Sequence, residues 1–397
     1  MHLLSAALGM PQESFASIHV VGTNGKSSVT RMSAALLRAH GLRTGAYISP
    51  HPRRWSERTL IDGEEIDAGR FAAALERTAA AAEAVNRELE EGEVVTQFEM
   101  ATAAAFLAFA EAGVEAAVVE AGLGGRLDAT NTIPSRVTAL TSVGLDHTRW
   151  LGDTEAEIAA EKLAVLREGT TLVLGRLDEK IEALAEQAAR QRGARVLRAP
   201  ADPGEDLHLR APGRFQRRNF ALARTAAGAF LGRLAPARVE EVAATLTIPG
   251  RLEKIADGPP VYIDAAHNPE GARALAEAIA EIAHAPPVVG CLAILRDKDA
   301  EGMVAALAPV LDHVVCSELG AEALAHRGTP EARSHSTAEL ARICEAAGLP
   351  TEAEPDFAAA LRRGRLLASG ETPGTLLVAG SHYALAPARM ELGLCED

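Results

Sequence analysis

Residues 18–30 read IHVVGTNGKSSVT. An apolar run enters a turn punctuated by Gly22 and Gly25, and Lys26 then stands ahead of two serines and a helical pattern. A buried strand that feeds such a turn and then a helix brings exposed backbone amides, a helix dipole and an ammonium into one small volume, a combination that suits a nucleotide triphosphate. The strict pattern G-x-x-x-x-G-K-[ST] asks for glycine at position 20, where this chain has Val20, so the match is to a variant loop. The plainer alternative is a glycine turn closed by a helix start.

Outward from this stretch, apolar runs of strand length recur at 17–21, 44–48, 116–120, 137–143 and 171–174, interleaved with alanine-rich helical patterns near 26–40, 68–91, 98–112, 154–168 and 178–192. Strands that alternate with helices imply a parallel sheet covered on both faces. A helix at about 216–232 precedes TIPGRLE (247–253), a Pro-Gly break, after which strands are expected at 260–264, 288–294, 312–316 and 376–380. The expected architecture is therefore α/β: a phosphate-loop, parallel-sheet ATPase domain over 1–247, then a smaller Rossmann-like α/β domain over 248–397. No internal period is present.

Composition limits the function classes. The 397 residues suit two domains at about 100–200 residues each. No apolar run reaches the ~18 residues of a membrane span, and the first residues lack the basic start and apolar stretch of a secretory signal, so a cytoplasmic chain without a membrane partner is expected. A net charge of −14 speaks against non-specific nucleic-acid binding. Cys291, Cys316, Cys344 and Cys395 show neither CxxC spacing nor a paired framework and read as reduced thiols. Lysine is scarce beside arginine, occurring only at 26, 162, 180, 254 and 298. A position that keeps lysine in such a background asks for a compact charge or a nucleophilic amine.

Lys162 is one such position. On a helix beginning near Asp153 it shares a stripe with Ile158, Ala159, Val165 and Leu166. Two readings stand: a stem lying along the core with its ammonium at the surface, or a functional amine, carbamylated by CO₂ into an anionic oxygen ligand. In AAVVEAGLGGRLDATN (116–131) a buried strand ends at Glu120 and runs into a glycine-rich loop. Carboxylates at the carboxyl ends of parallel strands face the ligand crevice, which places Glu120 for a Mg²⁺ on the nucleotide, with His147 on the same rim. The arginines at 210, 214, 217 and 218 read as a solvated charge run, and DKD (297–299) as a charged loop or a neighbour of the nucleotide. In AHNP, Asn268 and Pro269 are an N-cap and first helical residue.

GTNGKSS, YISPH (47–51), TQFE (96–99), EAGLGGRLDATN, GLDHTRWLGDT with Lys162 behind it, PGRLE, DAAHNPEGA (264–272) and DKD together resemble the signature set of folylpolyglutamate synthase and dihydrofolate synthase, in the Mur ligase superfamily. The resemblance runs in the family's order from about residue 8 onward. It implies that Gly22, Thr23, Asn24, Gly25, Lys26, Ser27 and Ser28 hold ATP phosphates, and that Ser49, Glu120 and His147 are Mg²⁺ ligands with a carbamylated Lys162 beside them. It further implies that Thr96, Gln97, Phe98, Glu99, Leu127, Asp128 and Ala129 contact a pterin, and that Asn219, Arg251 and Asp264 contact ATP. His267 and Ser381, with Asp264, match positions that receive glutamate, and His267 is expected to be catalytic with Lys26 and Lys162. The implied activity is ATP-dependent ligation of L-glutamate to dihydropteroate or a reduced folate, with the C-terminal domain closing over an acyl phosphate; separately, a monomer is expected. A nucleotide-binding paralogue that does not ligate and another Mur-type amide ligase are the rival readings. The chain departs from the family pattern at Phe215, where histidine is common, at Ala265, where glycine is usual, and at Leu163-Ala164-Val165, where Ala-Gly follows the lysine.

Overall fold

The computed structural model describes residues 1–51, 53–204, 207–283, 285–324 and 333–394. Cys395 lies outside them. The described chain divides into two compact units, one of Met1–Arg210 with Gln216–Leu246, the other of Ala211–Phe215 with the chain from Thr247 onward.

The first unit is built on β1 (Ala16–Val21), β2 (Thr44–Tyr47), β3 (Thr59–Ile61), β4 (Glu64–Glu65), β5 (Ala116–Glu120), β6 (Ser135–Leu140), β7 (Thr171–Leu174) and β8 (Arg195–Arg198). They form one sheet in the order β4-β3-β2-β5-β1-β6-β7-β8. Six of these strands run parallel, while β3 and β4 add antiparallel at one edge. β1 lies at the centre, with Val20 level with Glu120 on one side and Val21 level with Leu140 on the other. From β1 the chain crosses to β2 in one direction, and from β5 it crosses to β6 in the other. The carboxyl ends of β1, β5 and β6 thus flank a topological switch point, where open α/β sheets hold their ligands. Buried Ile18, Val20 and Val21 in β1 and Ala117, Val118 and Val119 in β5 explain the continuous apolar runs of strands covered on both faces.

The second unit has β9 (Glu253–Ala256), β10 (Val261–Ile263), β11 (Val288–Leu292), β12 (His313–Cys316), β13 (Thr351–Ala353) and β14 (Thr375–Ala379) in the order β13-β12-β11-β14-β10-β9, with only β9 antiparallel. Period-2 alternation divides its core: Val261, Ile263, Val289, Cys291, Leu376 and Val378 pack on one face, and Val288, Leu292, Leu377 and Ala379 on the other. Cys291, Cys316 and Cys344 are buried free thiols, the last two with sulfurs 3.8 Å apart.

The central strands fall within a few residues of the apolar runs, whereas β3, β4, β8, β9 and β13 have no counterpart among them. β4 is Glu-Glu, β8 is Arg-Val-Leu-Arg with both ends exposed, and β9 is half-exposed, so none of these three carries a buried run long enough to read. The helix at Lys162 is shorter than the pattern suggested: it spans Glu155–Leu163, and Val165 and Leu166, though fully buried, lie past its end. No described helix is long and apolar enough to cross a membrane.

Candidate active site

Gly22 leaves β1 with φ 151°, and a Cβ there would lie 1.8 Å from Thr141 Oγ1. Gly25 has φ 84°, and a Cβ there would lie 2.6 Å from Asn219 Oδ1, which places Asn219 directly against the loop. Both positions exclude a side chain. The loop is fixed by the segment after β6: Thr23 N–H donates to Ser142 O at 2.9 Å, Asn24 N–H to Ser142 Oγ at 3.1 Å, and Thr141 Oγ1 to Asn24 O at 2.6 Å. The Lys26–Ala39 helix begins at Gly25 with no side-chain cap and no acidic residue in its first turn. Its leading amides are therefore available to an anion. Lys26 Nζ curls over the loop and donates to the carbonyls of Gly22 and Thr23, both at 3.1 Å.

Lys162 is 4% exposed, and its Nζ donates to the same Gly22 carbonyl at 3.0 Å. Its amine points into the Gly22–Gly25 loop rather than out to solvent, which removes the surface-stem reading. Burial, and then the Lys26 charge, lower its pKa to about 7, against a smaller opposing pull from Asp146 and Asp128. A capping box between Thr154 and Glu157 starts its helix. The glycine loop packs on the turn that carries it: a Cβ at Gly125 would lie 2.6 Å from Glu161 O and 3.0 Å from Lys162 O.

Glu120 ends β5 and is 1% exposed. One carboxylate oxygen accepts from Ser27 Oγ at 3.1 Å and the other from Ser49 N–H at 3.1 Å. Ser27, the strand-end carboxylate and Ser49 are thus brought together. His147 starts the Thr148–Leu151 helix in a left-handed conformation, φ 52°, with its ring 3.8 Å from the Asp146 carboxylate. No group of three or more His, Cys, Asp or Glu side chains among the described residues is arranged to hold a metal. The Ser27 hydroxyl and the Glu120 carboxylate are instead hard oxygen donors, of the kind that Mg²⁺ takes when phosphate and water complete its shell.

Of TQFE, Thr96 and Glu99 form a capping box that starts the Gln97–Glu111 helix, and Glu99 Oε1 also accepts from the Met1 ammonium at 2.6 Å. Burial pushes the Glu99 pKa up, but the Met1 and Thr96 hydrogen bonds outweigh it and hold the group low. Gln97 is exposed. Phe98 covers the glycine loop so closely that a Cβ at Gly122 would lie 2.4 Å from its ring. Leu127 is 92% exposed at the loop tip, while Ala129 is buried. Asp128 is turned inward: Oδ2 accepts from Leu123 N–H at 2.8 Å, and Oδ1 from Thr130 N–H at 3.0 Å and from the Thr130 hydroxyl. Burial raises its pKa.

Behind Asp128 lies a group the sequence reading passed over. His19, fully buried in β1, has Nε2 2.8 Å from Thr130 Oγ1. Because that hydroxyl donates to Asp128, it accepts from His19, so the imidazole carries its proton on Nε2. Burial, and then the Arg167 charge, lower the His19 pKa to about 3, which keeps the ring neutral. A histidine in mid-run of an apolar strand was the available signal.

In the second unit, Asp264 at the end of β10 is 5% exposed and accepts from Leu252 N–H and Ala266 N–H, both at 2.7 Å. Burial raises its pKa against the downward pull of Arg251. Asp264 thereby ties PGRLE to DAAHNP, and Ala265 N–H adds a bond to Gly250 O at 3.0 Å. His267 Nδ1 lies 2.9 Å from Ala265 O and, facing a carbonyl, donates to it. Asn268 caps the Pro269–Ile282 helix through Gly271 N–H at 2.8 Å. Ser381 is 1% exposed and caps the turn after β14. Arg389, which the sequence did not single out, pairs with both oxygens of Glu253 at 2.6 and 2.5 Å, while Glu253 accepts from Gly250 N–H at 2.6 Å. That ion pair braces the turn bearing Arg251. Asp299 caps the Ala300–Leu307 helix, which gives the DKD aspartate a structural task. The expected solvated arginine run is partly engaged: Arg217 is held by Asp202 at 2.6 Å and by the Gly204 and Leu207 carbonyls, and Arg214 pairs with Glu281 at 2.8 Å.

Residues 250–382 match the family model described as Mur ligase, glutamate ligase domain. The dihydrofolate synthase/folylpolyglutamate synthase of Mycobacterium tuberculosis (strain ATCC 25618 / H37Rv) is 38% identical over 363 residues, covering 82% of this chain and 73% of that protein. The structure of Mycobacterium tuberculosis folylpolyglutamate synthase complexed with ADP superposes with a TM-score of 0.90 at 33% identity, over 100% of this chain and 94% of that one. A bifunctional folylpolyglutamate synthase/dihydrofolate synthase with Mn, AMPPNP and L-glutamate bound matches with a TM-score of 0.82 at 27% identity, over 98% of this chain and 93% of that one.

Proposed function

The chain belongs to the dihydrofolate synthase/folylpolyglutamate synthase family of ATP-dependent glutamate ligases, and from that premise we propose that it joins L-glutamate to the carboxylate of dihydropteroate or a reduced folate, forming ADP and phosphate. One observation carries the reading at the level of residues: Ser27 and Ser49 converge on Glu120 while Lys26 and Lys162 converge on the Gly22 carbonyl, all around one phosphate-type loop.

A carboxylate is a poor electrophile until one of its oxygens becomes a good leaving group. In the proposed reaction an acceptor carboxylate oxygen attacks the γ-phosphorus of ATP, the bond from that phosphorus to the β,γ-bridging oxygen breaks, and ADP leaves an acyl phosphate behind. The amino group of glutamate then attacks the acyl carbon, loses a proton, and expels phosphate to leave an amide. Phosphoryl transfer of this kind depends on positioning and on neutralising charge at the equatorial oxygens. The loop amides and Lys26 supply donors, with Asn219 beside Gly25. A Mg²⁺ held by Ser27, Glu120 and Ser49, with His147 as a further candidate ligand, would supply Lewis-acid charge to the phosphates.

Lys162 fits the carbamate role because an amine with a pKa of about 7 is substantially neutral at physiological pH, and the neutral amine is the form that adds CO₂. Arg251 and Asp264 are the proposed nucleotide contacts of the second unit, and His267 and Ser381, with Asp264, the proposed glutamate contacts. The orientation of His267 through Nδ1 leaves Nε2 as the nitrogen able to take a proton from the incoming amine. Thr96–Glu99 and Leu127–Ala129 are the proposed pterin segments, with Phe98 and exposed Leu127 as their apolar surfaces.

The test is product analysis by mass spectrometry with ATP and glutamate, offering dihydropteroate and tetrahydrofolate separately. The expected result is an acceptor one glutamyl residue heavier, with ADP release that requires both acceptor and glutamate. ATP binding without that dependence would overturn the reading.

A further inference from the structure

Arg58 lies just before β3 and is 7% exposed, yet among the described residues it has no carboxylate partner. Its contacts are neutral. Nε donates to His51 Nδ1 at 2.8 Å, and the guanidinium carbon stands 4.2 Å from the centre of the Trp55 ring and 5.6 Å from that of Phe98. Burial raises the pKa of the neighbouring Tyr47 hydroxyl, while the Arg58 charge pulls it down. A guanidinium withdrawn from water without a counter-ion is costly, and aromatic faces offset only part of that cost. Such a group is expected to meet an anion during the working cycle.

Its surroundings identify the anion. Phe98, on one side of the guanidinium, covers Gly122 of the glycine loop. Arg58 thus borders the Thr96–Glu99 segment proposed for the pterin acceptor, and Tyr47 feels the charges of both Arg58 and Asp128 of the second segment. The Arg58 carbonyl accepts from Ile48 N–H at 2.9 Å, one residue before Ser49, whose own N–H binds Glu120. The Arg58 backbone is therefore tied to the segment that carries Ser49. Phosphate already has Lys26 and the loop amides.

We infer that Arg58 is a substrate-binding residue whose guanidinium pairs with a carboxylate of the pterin acceptor. The inference rests on the ligase reading above. A planar fork with N–H donors beyond those engaged by His51 and Tyr47 suits a carboxylate, and the ring faces around it hold the fork in orientation. The carboxylate has two sources, the one that is activated (the benzoate of dihydropteroate, the γ-carboxylate of a glutamate-bearing folate) and the spare α-carboxylate of an acceptor already bearing glutamate.

The experiment compares wild type with Arg58→Gln and Arg58→Lys, measuring KM for dihydropteroate and tetrahydrofolate, Ki for the carboxamide of dihydropteroate as a competitive inhibitor, and KM for ATP and glutamate. Arg58→Gln is expected to raise the acceptor KM by roughly 10- to 100-fold. The carboxamide Ki and the KM values for ATP and glutamate stay unchanged, and Arg58→Lys recovers part of the loss. An effect on both acceptors assigns the reacting carboxylate, and an effect on tetrahydrofolate alone assigns the α-carboxylate. Equal weakening of acid and carboxamide, or no change in either, overturns the inference. If the Gln variant melts before assay, the acid-to-carboxamide ratio in Arg58→Lys decides the same question. Wild type that ligates neither acceptor would defeat the ligase reading itself, a separate outcome.

Discussion

Lys26 and Lys162 donate to one acceptor, the carbonyl of Gly22, at 3.1 and 3.0 Å. Two ammonium groups on one carbonyl repel each other, and the buried one yields: Lys162 is pushed to about 7 by burial and by Lys26. This juxtaposition links the start of the Lys26–Ala39 helix to the end of a helix far along the chain, and it sets the chemistry available to Lys162.

Carbamylation needs the neutral amine, so ligase activity should rise as pH increases through about 7 and respond to added bicarbonate at limiting CO₂. Lys162→Met should abolish the bicarbonate response and most of kcat. Short carboxylic acids supplied in solution should restore part of the rate by standing in for the carbamate. A bicarbonate-independent wild type would show that the amine acts uncarbamylated.

The same lysine has a stability signature. Its folded pKa lies below its ordinary value of 10.5, so the unfolded chain binds the proton more tightly than the folded one. This contribution to stability therefore rises with pH from about 7 toward 10.5 and is unfavourable below that window. Denaturant titrations across the window should show a slope in wild type that is reduced in Lys162→Met.

Gly22→Ala forces a methyl to within 1.8 Å of Thr141 Oγ1. Because Thr141 also anchors Asn24 O, relief by rotating its hydroxyl away would release the loop. The expected result is loss of nucleotide binding in calorimetry and a destabilisation of roughly 1–3 kcal/mol. Normal ATP affinity would mean that the loop tolerates a shift the packing argues against.

His19 acts through Thr130 on Asp128. His19→Leu removes the donor and leaves the Thr130–Asp128 pair unsupported, so the acceptor KM should rise with little change in KM for ATP. His19→Gln, which keeps a donor near the Nε2 position, should restore most of the affinity. Equal damage by both substitutions would indicate a packing role alone.

Arg389→Ala should loosen the turn bearing Arg251 by freeing Glu253. With each side chain 23% exposed, the pair is only partly screened, and a loss of about 1 kcal/mol in stability is expected. KM for ATP should rise by more than KM for the acceptor. Steady-state kinetics on the variant separates the two.

The parts of this molecule readable from its sequence are those that one physical demand dominates. Central parallel strands must be apolar on both faces, so β1, β5 and β7 appear as runs. A phosphate loop must be free of side chains where its backbone closes, so Gly22 and Gly25 are visible. Edge strands meet no such demand: β8 and β9 are polar and half-exposed and pass for loop. Lys162 was ambiguous because spacing fixes the face a side chain occupies but not where its last atom points. His19, Arg58 and Arg389 were missed because each matters through a partner distant in sequence, Thr130, Phe98 and Glu253, and no local pattern announces such a pair.

The central claim is that ATP primes the acceptor acid as an acyl phosphate. The direct measurement uses an acceptor whose carboxylate carries ¹⁸O in both oxygens, with ATP and L-glutamate, and mass analysis of the phosphate and amide formed. The account predicts one ¹⁸O transferred to phosphate and one retained in the amide at each turnover. Phosphate free of label, with ligation proceeding, would contradict it.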